Sequence, residues 1–167
     1  MGIVISGLGY YVPNKIINNK WFEDKIETSD AWIYEKVGIK ERRMAAPDQT
    51  TSDLAVEASL KAIKDANLTV EDIDLIVLAT SSPDMIQPPT ASIVQGKLKA
   101  HKAAAYDIGA VCAGFVFALN TAYAMQKAFQ YKHVLVIGAE TYSRILDYTD
   151  RTTCVYFGDG GGAVVLS

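Results

Sequence analysis

Two short runs, LIVLAT from Leu75 to Thr80 and HVLVIGAE from His133 to Glu140, constrain the fold more than any other feature of the chain. Each is apolar, rich in β-branched residues and too short for a helix, as expected of a strand buried on both faces. Such strands form parallel sheets covered by helices, so the intervening segments must supply crossover helices. From Thr50, TTSDLAVEASLKAIKDANL sets cap residues ahead of Leu54, Ala55, Ala58, Ala62 and Ala66 at helical spacing, with Asn67 as a left-handed stop. Helices are also predicted from about Thr90 to Ala100 and from Ala113 to about Gln130, with a short strand between them around Ala104 to Ile108. The N-terminal GIVISGLGYYVP predicts a strand that ends at Pro13, followed by a short helix. In ETSDAWIYEKVGIKERR, Thr28 or Ser29 can cap a helix that stops at Gly38 and carries Trp32 and Lys36 on one face. At the other end, TTCVYFGDGGGAVVLS offers two apolar runs around a glycine-rich turn, joined too tightly for a crossover helix and therefore antiparallel. The predicted order is βαβαβαββ, an α/β fold with a mixed sheet and helices packed on it.

A chain of 167 residues that is 50% hydrophobic and 21% charged can bury one core, and no linker or repeat divides it, so residues 1–167 are expected to form a single domain. A net charge of −3 with no long basic run gives no electrostatic footprint for nucleic acid or an anionic membrane surface. The longest apolar-rich stretch, Ala110 to Met125, is interrupted by Asn120 and Thr121 and falls short of the ~18 residues of a membrane span; it reads as a buried helix. No charged, apolar and small-residue succession marks a secretion signal, so a cytoplasmic location is expected. Cys112 and Cys154 form no CxxC and have no histidine close in sequence, which predicts neither a metal site nor a disulfide.

Gly158, Gly160 and Ala163 fit the dinucleotide fingerprint GxGxxA, but that motif needs a helix after the glycines and AVVLS reads as a strand. His101 and His133 read as surface residues, and Cys154 as core. Cys112 is different. A strand ending near Ile108, a turn through Gly109 and Ala110, and a helix starting near Ala113 place it at a helix N-terminus, where unpaired N–H groups and the dipole favour the thiolate. The same N–H groups could hold an oxyanion, and Ala110, Ala113 and Gly114 leave room for a substrate. Free cysteines are also common packing residues, so local reasoning leaves both roles open. Trp32 beside Lys36 is equally open between packing and holding a base and a phosphate.

The segments TSDAWI, VGIKERR, DIGAVCAGFVFAL and DRTTCVYFGDGGGAVVL, in this order, resemble beta-ketoacyl-[acyl carrier protein] synthase III over essentially the whole chain. The resemblance implies the thiolase-type fold, built from two similar halves and assembled as a homodimer; only the first half is represented, which predicts a piece of a longer synthase. By motif, Cys112 corresponds to the nucleophile that takes an acyl group from acyl-CoA before condensation with malonyl-acyl carrier protein and loss of CO2. No tightly bound cofactor or metal is implied. Trp32 and Arg151 correspond to residues that sandwich the CoA adenine, and Thr28 lies in the same wall. Lys36 occupies a place often held by arginine, which predicts a less directional nucleotide contact. Gln87, in SSPDMIQPPT, corresponds to an often aromatic position in a loop that lines the partner's acyl pocket, and the strand around Tyr106 is expected near the two-fold axis. The histidine and asparagine that stabilise the enolate belong to the other half of the family fold, so this chain alone is expected to lack condensation activity. The rival expectations are another thiolase-fold condensing enzyme, of the 3-hydroxy-3-methylglutaryl-CoA synthase or secondary-metabolite type, and a non-catalytic assembly domain with an exposed apolar face.

Overall fold

The structure, a computed structural model, describes residues 2–167. Its centre is a five-stranded sheet built from β1 (Ile5–Tyr11), β4 (Leu75–Ala79), β5 (Ala104–Ile108), β6 (Val134–Thr141) and β7 (Asp159–Leu166), in the spatial order β1-β7-β6-β4-β5. β4 runs parallel to both β5 and β6, and β7 is antiparallel to β6 and β1. All five residues of β4 are buried, as a strand covered on both faces requires.

Two helices cover one face and one covers the other. α3 (Thr51–Asp65) and α4 (Thr90–Leu98) pack with Ile76, Leu78, Leu135 and Ile137, while α5 (Gly114–Phe129) packs with Leu75, Val77, Val134 and Val136. Full burial of each such aliphatic side chain contributes about 1.5–3 kcal/mol. α3 lies unusually close to β1: a side chain at Gly7 or Gly9 would run into the helix carbonyls of Ala62 or Ala58. The alanine stripe of α3 and the glycines of β1 are therefore one device for backbone-to-backbone approach. Asn67 adopts φ +55, the left-handed stop expected after this helix.

A smaller unit stands beside the sheet. β2 (Lys15–Asn18) pairs antiparallel with β3 (Glu41–Met44), enclosing α1 (Lys20–Glu23) and α2 (Asp30–Val37). Ser29 caps α2 by accepting from Trp32 N at 3.1 Å, and Gly38 ends it with φ +76. Ile17, Phe22, Ile33, Cys154 and Val155 form the core of this unit.

Three expectations need correction. TTCVYF is not a strand: residues 151–156 are turns, in which the Asp150 carboxylate accepts from Thr152 N at 2.8 Å, Thr152 Oγ1 at 2.6 Å and Thr153 Oγ1 at 2.7 Å. Gly160, Gly161 and Gly162 accordingly lie inside β7 rather than in a turn, and the antiparallel partners of that strand are β6 and β1. Nor is α5 buried all round. Gly114, Ala118, Ala122 and Gln126 face the sheet, whereas Val116, Phe117 and Tyr123 are at least half exposed. Among the described residues no helix is long and apolar enough to cross a membrane.

Candidate active site

β5 ends at Ile108, and Gly109 and Ala110 turn the chain into a single 3-10 turn, Val111–Ala113, that runs directly into α5. Val111 has φ +47, a left-handed conformation that is strongly disfavoured for a β-branched residue and costs about 1–3 kcal/mol. Such an elbow persists only where the surroundings impose it. Here Ala113 N donates to Ala110 O at 3.1 Å and α5 is fixed against β4 and β6. The result is that Cys112 stands exposed at the helix start. The other cysteine differs in every respect: Cys154 is fully buried, and burial followed by the Asp150 carboxylate pushes its thiol above the ordinary range, toward the unreactive protonated form.

Cys112 opens onto a cavity of about 320 Å³ whose walls include Val111, Phe115, Tyr142, Phe157 and Glu140. Tyr142 and Phe157 pack with ring centroids 4.6 Å apart, so the wall they form is aromatic and suited to an apolar group. Neither His101 nor His133 lines it. Glu140 lines this cavity and was passed over by sequence reasoning. Its carboxylate accepts from Ser81 N at 2.7 Å, from Thr80 Oγ1 at 3.2 Å and from the Ser82 hydroxyl, and so ties the ends of β6 and β4 together at the cavity wall. The available signal was a charged residue closing an otherwise apolar strand. Ser82 Oγ in turn accepts from Thr141 N at 2.9 Å. The loop that follows carries Gln87, which is exposed beside the 95% exposed Ile86 and does not line this cavity.

A second cleft, of about 220 Å³, brings together Thr28, Trp32 and Arg151 with Glu27 and Ser29. Arg151 donates from Nη1 to Glu27 O at 2.9 Å and lays its guanidinium over Trp32, 4.6 Å from the ring centre. A flat ring between the two would need about 7–8 Å, twice the carbon contact distance, so such a ligand has to lift Arg151 away. Thr28 Oγ1 is buried there without a hydrogen-bond partner among the described residues. Lys36 is not part of this cleft. It is exposed and bound to the Glu35 carboxylate at 2.8 Å. No cluster of three or more metal-ligating side chains is present among the described residues.

Residues 106–167 match the family model described as 3-Oxoacyl-[acyl-carrier-protein (ACP)] synthase III. Proteins named Beta-ketoacyl-[acyl-carrier-protein] synthase III are 52% identical over 163 residues in Paracoccus denitrificans, covering 98% of this chain and 50% of that protein, and 55% identical over 164 residues in Neisseria gonorrhoeae, covering 98% and 51%. The solved 3-oxoacyl-[acyl-carrier-protein] synthase III from Aquifex aeolicus superposes with a TM-score of 0.96 at 46% identity, over 99% of this chain and 54% of that one. The priming beta-ketosynthase from the R1128 polyketide biosynthetic pathway superposes with a TM-score of 0.95 at 34% identity, over 99% and 49%. The chain thus spans about half the length of the curated relatives it matches.

Proposed function

The chain is homologous to the N-terminal half of beta-ketoacyl-[acyl-carrier-protein] synthase III, and from that premise we propose that it carries the acyl-accepting site of a condensing enzyme that starts fatty-acid synthesis. The observation that carries this reading is an exposed Cys112 on a strained elbow at the start of α5, facing an aromatic-walled cavity. Cys112 Sγ, as thiolate, attacks the carbonyl carbon of acyl-CoA; the carbon–sulfur bond to CoA breaks, CoA leaves as its thiolate and takes a proton from water, and the acyl group remains as a thioester on the protein. Thr28, Trp32 and Arg151 bind the nucleotide end of acyl-CoA, while Lys36, outside the cleft and bound to Glu35, contributes no direct contact. The acyl group rests among Phe115, Tyr142 and Phe157.

In the second half-reaction malonyl-acyl carrier protein loses CO2, and the resulting carbanion attacks the thioester and releases Cys112. A developing enolate needs donors aimed at its oxygen. The two histidines of this chain lie away from the cavity lining, so condensation by this chain alone is not expected. Assembly as a homodimer fits an edge position for β5 and an exposed Gln87 loop that could reach a partner's pocket. Use of acyl-CoA and a carrier protein supports a cytoplasmic location.

The likeness to the priming beta-ketosynthase supports a second reading, priming of a related condensing pathway by the same cysteine. Offering the acylated intact protein either malonyl-acyl carrier protein or acetoacetyl-CoA tests the assignment. A beta-ketoacyl-carrier protein formed with release of CO2 is expected; consumption of acetoacetyl-CoA instead contradicts it.

A further inference from the structure

The walls of the Trp32–Arg151 cleft come from two segments far apart in sequence, the helix α2 with the three residues that lead into it, and the connection between β6 and β7. A buried polar chain links them. Asn19, 1% exposed, donates from Nδ2 to Asp30 Oδ1 and to Ile39 O, both at 2.8 Å, and so grips both ends of α2. Its Oδ1 accepts from Arg42 Nη1 at 2.7 Å. Arg42, 7% exposed, uses Nη2 to donate to Val155 O at 2.8 Å, four residues beyond Arg151. The guanidinium also lies over the Phe22 ring, 4.7 Å from its centre.

A guanidinium buried without a carboxylate is an expensive way to fill a core, and its Nε has no hydrogen-bond partner among the described residues. A planar fork, however, reaches two acceptors on different segments from two separate nitrogens in a fixed geometry, which a single ammonium nitrogen cannot reproduce. We infer that Asn19 and Arg42 are positioning residues that hold the backbones of α2 and of the Arg151 loop at a fixed separation, so that Arg151 can swing off Trp32 and close again over a nucleotide base. The inference rests on the proposed reading that this cleft takes the nucleotide end of acyl-CoA. Neither residue touches the cavity at Cys112.

The test compares acetyl-CoA with acetyl-pantetheine, which lacks the nucleotide, as acyl donor to the intact protein. Arg42→Lys keeps the charge but not the fork, and it is expected to raise KM for acetyl-CoA about tenfold while leaving kcat and the KM for acetyl-pantetheine within about twofold. Asn19→Ser is expected to do the same and reads the same link if the arginine variant does not fold. A parallel loss with both donors, or no loss with either, overturns the positioning role. A wild-type protein that treats both donors alike overturns the nucleotide reading itself and the inference with it, an outcome distinct from wild-type preference that the variants retain.

Discussion

The guanidinium carbon of Arg151 sits 4.6 Å from the centre of the Trp32 ring, closing the cleft against itself. A ligand that enters must replace this cation–π contact, worth about 0.5–2 kcal/mol, with two stacking faces of its own. Trp32→Ala removes both the contact and one face, and is expected to raise KM for acyl-CoA by more than tenfold. Lys36→Ala, whose side chain is turned to Glu35, is expected to raise it less than threefold. Steady-state kinetics of the two variants, side by side, check the ranking.

The elbow at Val111 offers a second check. Val111→Gly relieves the left-handed strain at φ +47 and is expected to raise stability by about 1 kcal/mol while slowing acyl transfer, because Cys112 loses its fixed presentation. Thermal unfolding and single-turnover acylation, measured on the same variant, should move in opposite directions.

Gly9→Ala tests the backbone contact between β1 and α3. The added Cβ runs into the Ala58 carbonyl, which cannot move without shifting the helix. A loss of about 3 kcal/mol on urea unfolding is expected, more than an ordinary glycine-to-alanine exchange in a strand gives.

Asp53 supplies a pH signature. Burial alone would raise its pKa, but the Lys97 ammonium at 2.5 Å and the Thr50 hydroxyl and N–H at 2.8 Å outweigh it and hold the carboxyl below its ordinary value. A folded pKa below the unfolded one means that the contribution is complete above about pH 3.8 and is lost as pH falls through the folded value. The side chains of Asp53 and Lys97 are each 37% exposed, so solvent screening keeps the contribution small: Asp53→Asn is expected to cost less than about 1 kcal/mol at pH 7, with the gap to wild type closing as the pH is lowered below 4 in urea titrations.

How legible these features were depended on the kind of signal that each residue carried. β4, β6 and α3 could be read because burial on two faces or one stripe leaves a period in the sequence. The β2–β3 pair left none: KIIN and ERRM are four residues each, and their pairing is decided across the intervening helices. TTCVYF has the composition of a strand, yet Asp150 captures its threonines and Arg42 takes the Val155 carbonyl, so competing side-chain hydrogen bonds decide the backbone. α5 misled because its composition reports apolarity, not which residues meet the sheet. The elbow at Cys112 was legible from the strand–glycine–helix succession, but its strain at Val111 was not. Spacing put Lys36 on the face of Trp32; it could not foresee that Glu35 would claim the ammonium.

The central claim is that Cys112, and not Cys154, accepts the acyl group. Incubating the intact protein with isotopically labelled acetyl-CoA, quenching in acid and mapping the label by peptide mass spectrometry tests it directly. The label is expected on the peptide containing Cys112 and absent from a Cys112→Ser variant; label on Cys154, or on neither cysteine while free CoA is released, would contradict it.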